Sequence, residues 1–435
     1  MPSRRSVLRR TGMVALVTAC SAGLAQPTTP ERAAPGTSWI LRSSGVVRLT
    51  DGRLEALPGR GPADPVQRRL WLPRSLRARI VPSALAATAD LSHVPFQLRT
   101  MARQALADLD VLTLADGTAL ASIAPNWRYH WPRDAAFVAL ALTVYGAADR
   151  GLSVLQRSVG CLSPDGTLEA RYLPGSCSPP DHRGAQLDGL GWTLWALDQW
   201  RHLAPGQVAA DRARTVQHMA SALARGLTRH LDPVTGLPSA SPDYWEVPTS
   251  ALTLGTAAPV TSGLCAASRL LSDVAEGRAL HMAARRAHAS LRTSFGTRGW
   301  PRRADRPGLD CGVAMVFPPF LAGTGATDQV RDRARTRLAV PIGGIRPGED
   351  WHDWLTSWTP ELALFTLVDA CAGQRDKALG DLRFLSQHLT VADSLPEKIN
   401  GSGAPAGAAP LAWTAALVLL TLSVLAGTDL TPPTL

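Results

Sequence analysis

Helix-length segments with helical apolar spacing follow one another along most of this chain. From about residue 95 onward, apolar residues recur three and four positions apart, the spacing that places them on one face of an α-helix. Little strand pattern separates these segments, so the sequence predicts an all-α domain over residues 95–430. The predicted helices are 95–110, 133–149, 151–160, 186–203, 208–230, 257–275, 277–295, 310–322, 327–338, 358–372, 374–390 and 409–426.

Short and long connections alternate between these helices. The long ones hold most of the Trp and Pro residues of the domain. This alternation predicts an (α/α)6 toroid, a six-hairpin barrel in which inner and outer helices alternate and all the long loops gather on one rim. Loops held by a rigid scaffold are where functional side chains are usually placed. The long connections are 111–132, 161–185, 231–256, 296–309, 339–357 and 391–408.

The first residues have the pattern of an export signal. Arg4 and Arg5 form a twin-arginine pair, and an apolar run follows from residue 13 to 17. Val17-Thr18-Ala19-Cys20 resembles a bacterial lipobox, so we expect a signal over 1–20 and a lipid on Cys20 that attaches the chain to a membrane. An ordinary cleaved signal with an incidental Cys20 is the alternative, and either would place the protein in the cell envelope or outside the cell.

Between the signal and the helices, the sequence predicts little regular structure. Residues 21–37 are rich in Ala, Pro and Thr and have the composition of a tether. Within 38–94, the stretch 46–57 predicts a short β-hairpin around an Asp51-Gly52 turn. The remainder, with many Pro, is expected to be irregular.

The cysteines and the charged residues limit which cofactors and partners the sequence predicts. Cys161 and Cys177 flank one loop, and we expect them to pair, because disulfides are allowed outside the cytoplasm. No cysteine or histidine spacing indicates zinc, and no metal or other cofactor is expected. The formal charge of +10 comes from scattered Arg without a nucleic-acid motif, so no nucleic-acid partner is expected, and no protein partner is evident.

Three polar loops carry carboxylates, and two of them combine these with aromatic residues. Residues 126–134 pack Trp and Tyr beside an Arg-Asp pair, 241–246 end in Trp245-Glu246, and 394–398 contain Glu397. A site that cleaves sugars needs one carboxylic acid to protonate the leaving oxygen and one carboxylate to activate water. Indoles stack on pyranose rings, and Arg and Asp bind hydroxyls. The three loops therefore predict a carbohydrate site.

Five motifs in this order resemble glycoside hydrolase family 15, the glucoamylase and glucodextranase family. The resemblance runs through about residues 95–427 and is sparse between the motifs. The motifs are Tyr129-His130-Trp131-Pro132-Arg133-Asp134, Gln186-Leu187-Asp188-Gly189, Asp243-Tyr244-Trp245-Glu246, Gly344-Ile345-Arg346-Pro347-Gly348-Glu349-Asp350 followed by Trp358, and Pro396-Glu397-Lys398 followed by Pro410-Leu411-Ala412-Trp413.

The resemblance implies roles for individual residues. Glu246 would be the general acid and Glu397 the general base. Asp188 would contact sugar or orient a loop, although Asp at this place is equally typical of a helix N-cap. The implied sugar-binding residues are Trp131, Arg133, Asp134, Asp188, Asp243, Trp245, Arg346 and Trp358.

The function that this resemblance implies is an inverting, exo-acting hydrolase that releases glucose from the non-reducing end of α-linked gluco-oligosaccharides. Two positions depart from the family pattern: Val247 stands where a second Glu is frequent, and Lys398 where Gln is. These departures keep two alternatives open. One is another (α/α)6 enzyme, for example a trehalase-like hydrolase, and the other is an inactive carbohydrate-binding surface lipoprotein.

Overall fold

The computed structural model describes residues 43–57 and 74–434. The signal, Cys20, the tether and residues 58–73 lie outside the described residues. The described ranges contain thirteen α-helices and four 3-10 helices, of which the one over Cys311–Val316 belongs to the ring described below. The α-helices are α1 Arg74–Arg77, α2 Ala84–Thr88, α3 Arg99–Leu112, α4 Pro132–Val144, α5 Ala148–Val159, α6 Leu187–Leu203, α7 Gly206–Arg229, α8 Leu254–Leu270, α9 Gly277–Ser294, α10 Asp328–Leu338, α11 Thr359–Cys371, α12 Arg375–Gln387 and α13 Ala412–Leu425.

Six elements form a closed inner ring. In ring order they are α4, α6, α8, the 3-10 helix, α11 and α13, and α13 packs back against α4. Each has an outer helix against it, in the order α5, α7, α9, α10, α12 and α3. This arrangement is the predicted (α/α)6 toroid.

The division into inner and outer helices follows from their sequences. In α13 every residue from Ala412 to Ser423 is buried, because the helix is apolar all round. The outer helix α5 buries only one face, which includes Leu152 and Leu155. Inner helices can also approach closely: a Cβ on Gly263 of α8 would lie 2.6 Å from the Cα of Gly191 in α6. A larger residue at either glycine would push these helices apart.

Aromatic side chains fill the middle of the ring. Phe137 contacts Trp192, Trp195, Phe320 and Trp413, with ring centroids 5.1–6.0 Å apart. Trp192, Trp195, Phe137 and Phe320 are fully buried. The toroid is therefore a packed body and has no open channel at this level.

The strands form two small sheets. Strands β1 (Gly45–Arg48) and β2 (Leu54–Leu57) pair antiparallel with Gly45 opposite Leu57 and confirm the predicted hairpin. Strands β3 (Ser357–Trp358), β4 (Lys398–Ile399) and β5 (Pro405–Ala406) form a three-stranded sheet that the sequence does not predict. This sheet joins two of the long loops.

The structure differs from the prediction in two places. The predicted helix 310–322 is a 3-10 helix that ends at Val316, because Pro318 and Pro319 lack the N–H groups that a longer helix needs. Within the segment expected to be irregular, α1 and α2 each make about one helical turn.

The cysteines follow the prediction. Cys161 and Cys177 form a disulfide, and Cys265, Cys311 and Cys371 are free thiols. In the part of the chain that the structure describes, no helix has both the length and the apolarity needed to cross a membrane.

Candidate active site

The candidate site lies where the inner ring elements begin. Each inner element has its N-terminus on the same rim, directly after a long loop, and the loops carry the motif residues to that rim. Trp131 precedes α4, Asp188 lies in the first turn of α6, and Trp358 precedes α11. The positive ends of the helix dipoles therefore face the site, which suits carboxylates and hydroxyl oxygens.

Glu246 stands on a tight loop turn with unusual backbone geometry. Its φ of 54° lies in the left-handed region, which costs a non-glycine residue conformational energy. The turn is held by a 2.7 Å hydrogen bond from the Glu246 N–H to the carbonyl of Asp243. The Asp243 carboxylate also accepts from the N–H of Trp245 at 3.0 Å. The loop thus fixes where the Glu246 side chain points.

Three cationic or N–H donors converge on the Glu246 carboxylate. The indole N–H of Trp131 donates to Oε1 at 2.5 Å, and the Arg133 guanidinium lies 3.5 Å from the same oxygen. Arg183 forms an ion pair with Oε2. In this arrangement the carboxylate is held on both oxygens.

Arg133 connects Glu246 to the floor of the site. Its Nη1 donates to Asp188 and to Gln186, both at 3.2 Å, and its Nε lies 3.4 Å from Asp134. Burial raises the pKa of Asp134 to about 6, although the charge of Arg133 opposes the rise. Asp188 is also buried, and its Oδ1 has no hydrogen-bond partner within the described residues. The floor therefore offers polar atoms that a sugar hydroxyl can bind.

Asp243 has a different position from the one that the resemblance implies. Its side chain is fully buried, and both carboxylate oxygens accept from Arg302 at 2.8 Å. Arg302 also lies 3.3 Å from Asp310, which accepts a 2.8 Å hydrogen bond from the Tyr244 hydroxyl. In place of the expected sugar contact, Asp243 anchors the Glu246 loop, because its oxygens face this internal network.

Glu397 is held by main-chain contacts on both sides. Its N–H donates to the Ala408 carbonyl at 2.8 Å, and its carbonyl accepts from Thr359 at 3.0 Å. Its Oε2 accepts from the Ala408 N–H at 3.1 Å. Gly407 has a φ of 76°, and a Cβ there would lie 2.4 Å from Oε2, so only glycine leaves room for this carboxylate.

An arc of three indoles joins the two carboxylate loops. Trp245 packs edge-on against Trp351 at 5.0 Å, and Trp351 packs edge-on against Trp358 at 5.1 Å. Lys398 completes the arc, because its ammonium lies 4.0 Å over the Trp358 ring and 3.6 Å from Glu397. Glu246 directly follows Trp245, and Glu397 directly precedes Lys398. The arc therefore places the two carboxylate loops on one side of the rim.

A third carboxyl group lies at this site. Glu361 is in the first turn of α11, is buried, and has no hydrogen-bond partner for Oε2 in the described part of the chain. Burial, with a smaller contribution from the charge of Glu397, raises the pKa of Glu361 to about 8. A pKa of about 8 favours the protonated form of Glu361 at neutral pH, in which the carboxyl group can donate a hydrogen bond.

The raised pKa of Glu361 predicts a pH-dependent stability. The unfolded chain titrates this group near 4.5 and the folded chain near 8, so its contribution is complete below pH 4.5 and is lost as the pH rises through 8. We expect Glu361→Gln to stabilise the protein at pH 8.5 relative to wild type by on the order of 3 kcal/mol, and to change it little at pH 4.5. Urea unfolding at both pH values measures this.

The control for this prediction is Glu55→Gln, since Glu55 is exposed on β2. We expect it to shift the unfolding free energy by the same small amount at both pH values. If the effect of Glu361→Gln on the unfolding free energy were the same at both pH values, the raised pKa of Glu361 would be contradicted.

Among the predicted sugar-binding residues, Arg346 has the fewest contacts with the others. Its Nη2 lies 3.5 Å from the carbonyl of Arg337. It lines a cleft with Trp354, which is 59% exposed, together with Ala339, Val340 and Pro341. The main chain of this loop nevertheless borders the site, because Ile345 accepts from the N–H of Trp358 at 2.8 Å.

Sequence reasoning does not single out four residues that shape the site: Arg183, Arg302, Asp310 and Glu361. Only Glu361 has a local signal, which is a single acidic residue in the first turn of the otherwise apolar start of α11. The other three act through contacts between loops that are far apart in sequence. Within residues 43–57 and 74–434, no group of three or more His, Cys, Asp or Glu side chains is arranged to hold a metal ion.

No family model and no curated protein matches this sequence. Among solved structures, the chain is similar to a glycosidase at 19% identity, with a TM-score of 0.63, over 81% of this chain and 100% of the glycosidase. A variant of that glycosidase was solved in complex with glucose and has a TM-score of 0.64.

Two glucoamylases are also similar in structure. The enzyme from Saccharomycopsis fibuligera is 13% identical, with a TM-score of 0.59, over 80% of this chain and 98% of the enzyme. A bacterial glucoamylase complexed with acarbose is 14% identical, with a TM-score of 0.57, over 76% of this chain and 56% of that one. At these identities the similarity establishes a shared (α/α)6 fold.

Proposed function

We propose that this protein is an inverting, exo-acting glycoside hydrolase that releases glucose from the non-reducing end of α-linked gluco-oligosaccharides. The observation that carries the proposal is the joining of the Glu246 and Glu397 loops by the indole arc of Trp245, Trp351 and Trp358. The shared fold of glycosidases, including one solved with glucose and one with acarbose, supports a sugar ligand.

The proposed mechanism uses two carboxyl groups. Glu246 donates a proton to the glycosidic oxygen as the bond from C1 to that oxygen breaks. Glu397 accepts a proton from the water that attacks C1 from the opposite face. Inversion requires that these groups be roughly 6.5–9.5 Å apart, which leaves room for the water.

The exo mode is supported by the closed interior of the ring. The cluster around Phe137, Trp192 and Phe320 blocks the middle of the toroid, so a chain enters only from the rim. The terminal sugar then reaches the floor formed by Arg133 and Asp188, and the leaving group points toward the rim.

The experiment that tests the function uses purified protein, α-linked gluco-oligosaccharides of several linkages, and trehalose. Anomer-resolved NMR follows the first sugar released. We expect β-glucose from the non-reducing end. Release of α-glucose would contradict inversion, and turnover of trehalose alone would assign the trehalase-like alternative.

One observation favours a second candidate, a sugar-binding protein without turnover. Each proposed catalytic carboxylate has a cationic neighbour: Arg183 on Glu246, and Lys398 at 3.6 Å from Glu397. Cations favour the ionised form of a carboxyl group, which suits a base but not an acid. Oligosaccharide binding by calorimetry with no released sugar in the NMR experiment would assign this second function.

We also propose export by the twin-arginine route and attachment through a lipid on Cys20. The Cys161–Cys177 disulfide supports a location outside the cytoplasm. We expect Cys20→Ser to move the protein from the membrane fraction to the soluble fraction and to abolish fatty-acid labelling. Cys371→Ser is the control and is expected to leave both unchanged. Labelling that persists in Cys20→Ser would contradict the assignment.

A further inference from the structure

Two arginines share one carboxylate beside Glu246. Arg171 and Arg183 both form ion pairs with Asp181, the second through its Nε at 2.9 Å. Arg183 also pairs with Glu246. This arginine pair is not part of the sugar floor, and the mechanism above gives it no role.

Arg183 lies on the outer side of Glu246. Side-chain exposure increases from 6% at Arg133 to 15% at Glu246 and 19% at Arg183, and Asp181 reaches 27%. Because the terminal sugar occupies the buried floor, the proposed function places the leaving group at the more exposed side, next to Arg183.

The charges on this side do not balance when Glu246 acts as an acid. A protonated Glu246 is neutral, which leaves two guanidinium groups and the single carboxylate of Asp181. Burial, and next the charge of Arg171, lower the pKa of Arg183. The neighbouring Val247 is 39% exposed and adds no charge.

The two arginines differ in how firmly they are held. Arg171 stacks over Tyr129 at 4.6 Å and over Trp131 at 5.0 Å, and it also donates to the Asn126 carbonyl at 3.2 Å. The backbone of the loop 161–185, which carries both arginines, is held by the Cys161–Cys177 disulfide and by a β-bridge between Glu169 and Ala185. Arg171 thus holds Asp181 in place, and Arg183 is the guanidinium that faces the open side.

We propose that the leaving-group subsite selects a leaving group that carries a carboxylate, and that Arg183 is the residue that binds it. A guanidinium fork matches a carboxylate with two parallel hydrogen bonds. This inference rests on the proposed function, since that function defines which side is the leaving-group side.

The reaction then proceeds without any further reactant. The substrate carboxylate takes Arg183 from Glu246, and Glu246 acquires a proton from water. Glu246 passes this proton to the glycosidic oxygen as the bond to C1 breaks, and water adds to C1 while its proton goes to Glu397. Glu397 then releases its proton to the solvent, which balances the proton that Glu246 took up, and the products are glucose and the free alcohol that carries the carboxylate.

The test compares two ligands that differ only in charge. Calorimetry measures the binding of 4-carboxyphenyl and 4-carbamoylphenyl 1-thio-α-glucosides, which are resistant to hydrolysis, to the full-length protein. We expect the carboxylate to bind about 30-fold more tightly, as a charge-assisted pair allows. In Arg183→Gln the ratio is expected to fall close to one. Arg212→Gln is the matched control, because Arg212 forms an exposed ion pair with Asp149 on the outer helices.

A parallel arm measures hydrolysis of the corresponding O-glucosides and separates the two proposals. Selective binding of the carboxylate without turnover would overturn the hydrolase function and support the anionic subsite. Turnover with equal binding of both ligands, or a preference that survives in Arg183→Gln, would overturn the subsite. Absence of both binding and turnover would overturn both.

Discussion

Glu246→Gln and Glu397→Gln are each expected to lower kcat on a gluco-oligosaccharide by about 10³-fold, because each removes one proton-transfer group. The amide keeps the size of the side chain, so Glu246→Gln still accepts the indole N–H of Trp131 and Glu397→Gln retains an oxygen for Ala408. Initial rates on the oligosaccharide that is turned over fastest measure the effect, with KM expected to change much less than kcat.

The leaving group distinguishes the acid from the base. Fluoride leaves without protonation, so Glu246→Gln is expected to hydrolyse α-glucosyl fluoride far better, relative to wild type, than it hydrolyses an oligosaccharide. Glu397→Gln is expected to be equally impaired on both, because both reactions need an activated water. The opposite pattern would exchange the two roles.

The control for these variants is a carboxylate on a neighbouring rim loop. Glu349 accepts from the N–H of Leu309 at 2.7 Å and pairs with Arg337, so it is occupied by structural contacts. We expect Glu349→Gln to keep a kcat close to that of wild type. A loss as large as that of Glu246→Gln would indicate that any carboxylate removed from this rim disturbs the site, and would contradict the specific roles.

The toroid was predictable because the apolar pattern that defines each helix lies within that helix's own sequence. Inner helices such as α13 are apolar all round, outer ones such as α5 are apolar on one face, and both patterns repeat in order along the chain. The prediction of helix 310–322 was wrong because apolar spacing continues across Pro318-Pro319, and the missing N–H groups decide where the helix stops. The strands β3–β5 are too short to leave a periodic signal.

The site was only partly predictable. Glu246 and Glu397 are recognisable because each stands in a polar loop with Pro, and Trp245 directly precedes Glu246. The structure brings both loops to one rim. The cation beside Glu246 was not predictable in this way, since Arg183 lies more than sixty positions before Glu246 in sequence and belongs to a different loop. A contact of this kind depends on the assembled ring.

Asp243 illustrates the same limit. The motif that contains it is local, yet its role depends on which group faces its carboxylate. In the structure that group is Arg302, which comes from the loop after α9. The sequence of the motif does not indicate that this loop packs against Asp243. A residue type and a motif therefore predict that Asp243 matters, and only the fold assigns it to positioning.

Arg302→Met is expected to destabilise the protein by about 3–5 kcal/mol, because it leaves two fully buried carboxylates without their cation. It is also expected to lower kcat, since the guanidinium packs 3.9 Å over Trp245 and fixes the turn that carries Glu246. Urea unfolding and initial rates measure the two effects. Arg303→Met is the matched control, because the adjacent Arg303 forms its ion pair with the exposed Asp305, and we expect it to change neither.

The destabilisation by Arg302→Met is expected to depend on pH. Burial raises the pKa of Asp310 to about 7, although Arg302 opposes the rise. Above pH 7 Asp310 is charged in the wild-type protein and Arg302 compensates it, whereas at pH 5.5 Asp310 is protonated and needs the cation less. The loss of unfolding free energy should therefore be larger at pH 8 than at pH 5.5. An equal loss at both values would mean that Arg302 does not stabilise the fold through the charge of Asp310.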